Sequence, residues 1–364
     1  MIKQLDIEGI TVFPKRTSLR FVPGINMIVG GNDSGKSHLL KLAYITTKWT
    51  RRLDAKLLES PQEMNAGLAR DVMRVFGTAH LSGTIAQYKS SGRAQLAVQF
   101  SGSSTELRAQ WNREDSDTLS LRPLALNMPA EQSIFITPKE VLSLYPCYMQ
   151  VGKEYPELLD GASWDLCCAL EDEGANKASL SAELLRVKIL IERLLGGRLC
   201  RKEGRFYLHR VGYELIELNL IAEGFKRLGM LGLLIGNGRI AQGCTLFWDE
   251  PEMNLNARHL PVLVEIMMGL CKAGVQLMLS THSLFFLREL HLQLSDAESA
   301  EIERRYFGLQ ALGEMGAGVC VSVASDLDEM EPLESMKAEI AQADRYLMMG
   351  LSPHDEADEY DYQK

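Results

Sequence analysis

Eight consecutive residues carry the clearest chemistry in the chain: Gly30-Gly31-Asn32-Asp33-Ser34-Gly35-Lys36-Ser37, a full match to G-x-x-x-x-G-K-S. Glycines at this spacing let the backbone wrap until successive N–H groups converge on a phosphate, and a helix behind them adds its positive end. Lys36 is spaced to reach β- and γ-phosphates, and the Ser37 hydroxyl to ligate Mg²⁺. Two acids close a second apolar run, Thr245-Leu246-Phe247-Trp248-Asp249-Glu250. Asp249 is placed to hold magnesium through water, and Glu250 to polarise the water that attacks a γ-phosphate. Ser280-Thr281-His282-Ser283 closes a third run, where His282 would meet the γ-phosphate or the attacking water. These residue types together point to hydrolysis of a nucleoside triphosphate.

The side chains act only if the backbone aims them. Residues 2–7 and 18–21 read as strands, and 25–29, continuously apolar after the Pro23-Gly24 turn, as a buried strand. Residues 37–49 read as a helix, completing strand, glycine loop, helix. Later, helices at 224–235, 256–272 and 284–290 alternate with buried strands at 244–248 and 275–279, the pattern of a parallel sheet. Between these blocks, 55–75 suggests helix, 83–107 antiparallel strands and 133–136 a short core strand. Residues 182–195 form an amphipathic helix with Ser181 as N-cap, and 198–218 read as strands turning at Lys202-Glu203-Gly204 and Val211-Gly212. The expected organisation is an ATPase-type core from 1–50 and 221–350, an inserted helical and antiparallel region at 51–220, and an acidic flexible tail at 351–364.

The chain has 364 residues, a formal net charge of −9 and 46% hydrophobic residues. That balance excludes wholesale disorder and a surface coated in nucleic acid, though not a local basic groove. No apolar run approaches the roughly 20 residues of a membrane-spanning helix, and no signal-peptide core follows Lys3. A cytoplasmic protein without membrane contact is expected. Seven scattered cysteines with no C-x-x-C pair argue for reduced thiols rather than a disulfide framework or a zinc site.

Residues 25–37, Phe247-Trp248-Asp249-Glu250-Pro251-Glu252-Met253-Asn254-Leu255-Asn256 and Leu279-Ser280-Thr281-His282-Ser283 resemble the ABC-type ATPase heads. The chain is similar to AAA-labelled ATPases related to RecF, SMC and OLD-family proteins, many of them bacterial anti-phage defence components. The likeness spans residues 1 to about 290, loosely in the middle. It implies an α/β P-loop NTPase fold with an ABC-ATPase-like head, a mixed or parallel core sheet flanked by helices, and ATP and Mg²⁺ as ligands. It also implies that Asp249 and Glu250 are the Walker B pair, Asn254-Leu255-Asn256 the D-loop and His282 the switch histidine. Glu223 and Gly224 sit where the family's signature helix begins, the element that crosses a dimer interface to touch the other subunit's γ-phosphate. Ala222 stands in place of the family's serine, which removes a hydroxyl contact and leaves the N–H donors of Gly224 and the helix end. Lys226 and Arg227 then either replace that contact or face solvent. Residues 136–140 fall in the family's Q-loop region without a glutamine.

Such heads serve transport, repair, chromosome condensation and defence, so fold alone does not choose. A fused transporter is excluded by the missing membrane segment, and a condensin-like coiled coil by the short interval from Ser37 to Ala222. Asp326-Leu327-Asp328 has the spacing of nuclease metal ligands but reads as a solvated loop, and Asn176-Lys177-Ala178-Ser179 lacks the Asp of a guanine-reading motif. Arg193, Arg198, Arg201, Lys202, Arg205 and Arg210 crowd into 18 residues. They describe a positive ribbon for DNA or an acidic partner, or charges that protect an edge strand. The leading expectation is a Mg²⁺-dependent ATPase that switches as a homodimer or higher homo-oligomer and regulates a separate effector, such as a nuclease, in phage defence. The alternatives are a DNA-repair ATPase contacting DNA through Arg198, Arg201, Lys202 and Arg205, and an ATP-binding scaffold with little turnover.

Overall fold

Alternating and continuous apolar runs become two different kinds of sheet. In a computed structural model the described residues are 1–54, 60–86, 92–114, 118–122, 131–155, 158–171, 180–296, 299, 301–313, 318–331 and 334–349. The acidic tail at 351–364 and the Asn176–Ser179 stretch lie outside them. The first half runs β1 (Ile2–Glu8), β2 (Thr17–Arg20), β3 (Ile25–Gly30), α1 (Lys36–Asp54), α2 (Pro61–Phe76), β4 (Arg93–Phe100), β5 (Glu106–Asn112), β6 (Ser120–Arg122), β7 (Ser133–Ile136), α3 (Tyr145–Glu154) and α4 (Gly161–Glu171). The second runs α5 (Ala182–Leu195), β8 (Arg198–Lys202), β9 (Arg205–His209), β10 (Ile216–Glu217), α6 (Glu223–Gly236), β11 (Thr245–Asp249), α7 (Leu260–Lys272), β12 (Gln276–Thr281), α8 (Leu284–Leu294), β13 (Arg304–Ala311), β14 (Val319–Ala324) and α9 (Glu334–Met349).

The core sheet has the order β14-β13-β3-β12-β11-β7 and is parallel throughout except for β14, which returns antiparallel along β13. Strands buried on both faces read as near-continuous apolar runs, and β3, β11 and β12 are buried end to end. Their alternate side chains feed two cores. Met27, Val29, Leu246, Trp248, Leu277 and Leu279 pack in one core with α5, α6 and α7. Ile28, Phe247, Met278 and Phe307 point the other way, into α1 and α2.

Covering that second core is an antiparallel sheet, β2-β1-β4-β5-β6. One of its faces is apolar and the other polar, as the alternating burial of β4 and β5 requires. α1 is therefore held between two sheets, which fixes the helix that follows the glycine loop. The 51–220 stretch is woven into both layers, since β4 pairs with β1 and β7 with β11. A helix expected to start near 55 begins at Pro61, where Ser60 and Glu63 form a capping box.

Candidate nucleotide site

β3, β12 and β11 are neighbours running in the same direction, so their carboxyl ends bring Gly30, Thr281 and Asp249 to one edge of the sheet. Asp249 stands opposite Ser280, and Thr281 opposite Val29. Open parallel sheets bind ligands at such an edge. The three motifs, the first more than 200 residues before the other two, converge there.

Beyond β3 the chain turns through residues 31–35. Gly35 has φ 88°, a left-handed conformation, and a Cβ there would lie 2.3 Å from Val12 Cγ2. Asn32 and Asp33 are exposed at the tip, and Ser34 is buried and donates its hydroxyl to Gly31 O at 2.9 Å. Lys36 begins α1 and folds back, donating from Nζ to Gly30 O at 2.9 Å and Gly31 O at 2.8 Å. Lys36 is only 6% exposed. Burial lowers its pKa, while the charges of Glu250, Asp249 and Glu252 push back. Two neutral carbonyls take two of its three donors and offset none of its charge. A buried cation in that state fits a phosphate. Ser37 follows on the first turn of α1, and its hydroxyl has no protein partner among the described residues.

The acids are held as tightly. Asp249 is buried and its Oδ1 accepts the Ser280 hydroxyl, leaving Oδ2 without a protein donor among the described residues. Ser37 and Asp249 are thus the oxygens suited to Mg²⁺, which takes few protein ligands and keeps several waters. Glu250 N donates to Ser280 O at 3.1 Å, and the residue has φ 50°, a conformation costing a non-glycine residue about 1–3 kcal/mol. That twist aims the carboxylate out of the strand toward β12. There Glu250 Oε1 lies 2.8 Å from His282 Nδ1, and His282 is half exposed. One more acid, the partly buried Glu252, accepts the Thr281 hydroxyl, and desolvation raises its pKa.

Glu223 and Gly224 open α6, whose N-cap, Ala222, makes no side-chain cap bond. Asn254 Nδ2 donates to Glu223 Oε2 at 2.6 Å. A Cβ on Gly224 would lie 2.5 Å from Asn254 O, so only glycine admits this approach. The two residues are brought to 254–255, and no hydrogen bond among the described residues joins them to 30–37.

Two expectations are corrected. Lys226 and Arg227 neither face solvent nor stand ready for an external phosphate, because both are buried on the inward side of α6. Lys226 Nζ donates to Ser143 Oγ at 3.0 Å and lies 3.8 Å from Glu140. Arg227 donates to Glu250 O at 2.7 Å and Asp249 O at 2.8 Å, with longer bonds to Met253 O and Thr137 O at 3.4 Å. Desolvation lowers its pKa to about 10 against the charges of Glu252, Asp249 and Glu250. This clamp was missed in the sequence, yet its signal was present. A charge at 227 interrupts the apolar stripe of Leu228, Leu231 and Ile235, and buried charges need partners. Asp326, read as part of a solvated loop, accepts Arg304 Nη2 at 2.6 Å, and Leu327 is buried.

Within the basic ribbon, Arg198, Lys202 and Arg205 are exposed, with Lys202 paired across the strands to Arg205. Arg201 is corrected too. It pairs with Phe206 in register, shares the face of Leu199 and Leu208, and donates to Tyr145 OH at 3.1 Å.

Neither a family model nor any curated protein matches the sequence. Solved structures do. One is an SMC head bound to the C-winged helix domain of ScpA, with 13% identity, a TM-score of 0.52, and coverage of 90% of this chain and 98% of that one. Another is an Smc head domain with an extended coiled coil bound to the C-terminal domain of ScpA derived from Pyrococcus furiosus, with 12% identity, a TM-score of 0.52, and coverage of 94% and 99%. The fold is SMC-head-like, an α/β fold with a mixed sheet flanked by helices. Among the described residues, no helix of this head is long and apolar enough to cross a membrane.

Proposed function

We propose that the chain is a Mg²⁺-dependent ATPase that works as a nucleotide-driven dimer switch. The observation that carries this reading is the convergence of Lys36, Asp249, Glu250 and His282 at the ends of β3, β11 and β12. The glycine loop and Lys36 hold the triphosphate, while Ser37 and Asp249 hold the metal. Mg²⁺ supplies neutralisation of charge on the phosphate oxygens. Glu250 takes the proton from the attacking water, and His282 orients Glu250 through the 2.8 Å contact.

Glu223 and Gly224, seated on Asn254 rather than on their own glycine loop, would face the nucleotide of a second copy. Binding of ATP then closes two heads, and hydrolysis reopens them. The solved heads carry a ScpA domain, and by analogy this head reports its state to a separate effector protein. A nuclease acting in cytoplasmic anti-phage defence is the effector that the family likeness favours. Phosphate release by the wild type, with light scattering with and without Mg-ATP, tests the reading. Turnover and an ATP-dependent rise in mass support it, whereas a chain that neither binds nor cleaves ATP refutes it.

A second reading, direct DNA contact, draws on the exposed Arg198, Lys202 and Arg205. It places DNA on β8 and β9 and requires binding that weakens with salt.

A further inference from the structure

At the far end of α1 from the glycine loop lies a cleft of about 560 Å³, within the size range of small-molecule sites. Its floor is β7, the edge strand of the core sheet, and α1, α2 and α4 wall it. Among the described residues, five cations line it, Lys48, Arg51, Arg52, Arg74 and Arg239, against two carboxylates, Asp71 and Asp165.

The carboxylates are already engaged. Lys48 Nζ lies 2.6 Å from Asp165 Oδ2, an oxygen that also accepts Tyr44 OH at 2.8 Å. Arg52 grips Asp71 with Nε at 3.2 Å and Nη2 at 3.3 Å. Arg51 donates to carbonyls instead, Glu131 O at 3.0 Å and Ser133 O at 3.3 Å, and pairs with no carboxylate among the described residues. Arg74 is the decisive group: the residue is partly buried, and its Nε and Nη2, themselves buried, have no hydrogen-bond partner among the described residues. Leaving buried guanidinium donors unmet is costly, and native structures seldom do so without a ligand or water to meet them. Planar guanidinium donors match the oxygens of a phosphate.

We infer that this cleft binds a small phosphorylated anion, free or part of a nucleotide, with Arg74 and Arg51 as its phosphate ligands. Lys48 stands about 18 Å along α1 from Lys36 at 1.5 Å per residue. The anion is therefore an effector beside the triphosphate site rather than a competitor for it. Neither arginine belongs to the glycine-loop site, so failure at one site leaves the other readable.

The test is calorimetry on the full chain carrying Lys36→Met, which weakens nucleotide binding at the glycine loop about 10–100-fold, with inorganic pyrophosphate, ADP and a short single-stranded oligonucleotide as probes. One equivalent of pyrophosphate or ADP is expected to bind, and adding Arg74→Met should weaken it about tenfold or more. Tighter binding of ADP than of pyrophosphate assigns the source as a nucleotide; equal binding assigns it as the phosphate group alone. Arg74→Met should also raise the melting temperature without anion and abolish the rise that pyrophosphate gives. Arg51→Gln, which leaves Arg74 in place, should weaken binding in the same direction. Absence of binding by both small probes, binding indifferent to Arg74 and Arg51, or binding of the oligonucleotide alone would each overturn the assignment.

Discussion

Glu250 and His282 hold each other across adjacent strands, carboxylate to ring nitrogen at 2.8 Å, although 32 residues separate them in the chain. The contact exists because β11 and β12 are parallel neighbours in a register that sets Asp249 beside Ser280. Glu250 then leaves the strand at φ 50°, which turns its carboxylate toward the end of β12.

If Glu250 is the base, Glu250→Gln keeps the shape and the Asp249 oxygens but loses proton acceptance. Turnover should fall about 10²–10⁴-fold. Nucleotide affinity should hold, since Lys36 and the loop are untouched. The uncleaved triphosphate should then keep heads together, so light scattering should show an accumulated ATP-dependent dimer. Wild-type turnover in this variant would remove Glu250 from catalysis. A slow variant whose mass ignores ATP would retain the catalytic role and discard the closing dimer.

Lys36→Met should reduce nucleotide affinity about 10–100-fold, the worth of a charged hydrogen bond, in calorimetric titration. The variant should nevertheless melt no lower than the wild type without nucleotide, because burial already disfavours the ammonium. The sign with pH follows from the same cause. The folded pKa lies below the ordinary 10.5 of an exposed lysine, so between the two values the unfolded chain binds more protons and stability rises with pH. That rise should be absent in Lys36→Met. Nucleotide affinity should move the other way, weakening as pH climbs toward 10.5 and the ammonium is lost.

Much of this site was legible because its chemistry is local in sequence. The run from Gly30 to Ser37 needs one turn between a strand and a helix, and Asp249 and Glu250 need one strand end. Pairings set by tertiary packing were less legible. Arg201 looked like its neighbours in a basic cluster, but the two-residue period of β8 turns it inward to Tyr145 while Arg198 and Lys202 stay outside. Arg227 looked like half of an exposed Lys-Arg pair until the burial of α6 placed it under the carbonyls of β11. Ser280 gave no sign that its hydroxyl would serve Asp249.

The ribbon makes those differences measurable. Lys202→Glu with Arg205→Glu should leave the melting temperature nearly unchanged, as befits exposed charges. If the ribbon contacts DNA, the pair should lower affinity for duplex DNA most strongly at low salt and flatten the salt dependence. Arg201→Glu should instead lower the melting temperature, since it places a carboxylate beside the Tyr145 hydroxyl and Phe206. DNA affinity unaffected by the double reversal would leave the charges a role only in keeping the edge of β8 and β9 from pairing with other chains.

Arg227 offers a test of how α6 and the acids are joined. Its guanidinium spans α6, the end of β11 and Met253, so any shift of α6 is transmitted to the backbone that sets Glu250 at φ 50°. Lysine at this position keeps a charge but cannot fork between Asp249 O and Glu250 O. Arg227→Lys should therefore cost about 2–3 kcal/mol of stability, seen as a lower urea midpoint, because buried carbonyls lose charged donors. Its functional effect should fall on kcat more than on KM, as the glycine loop and Lys36 are elsewhere. A variant that unfolds is separated from one that misaligns the site by measuring ATP affinity at a temperature where the chain remains folded. An unchanged kcat in a folded Arg227→Lys variant would mean that Glu250 keeps its alignment through Ser280 and His282 alone.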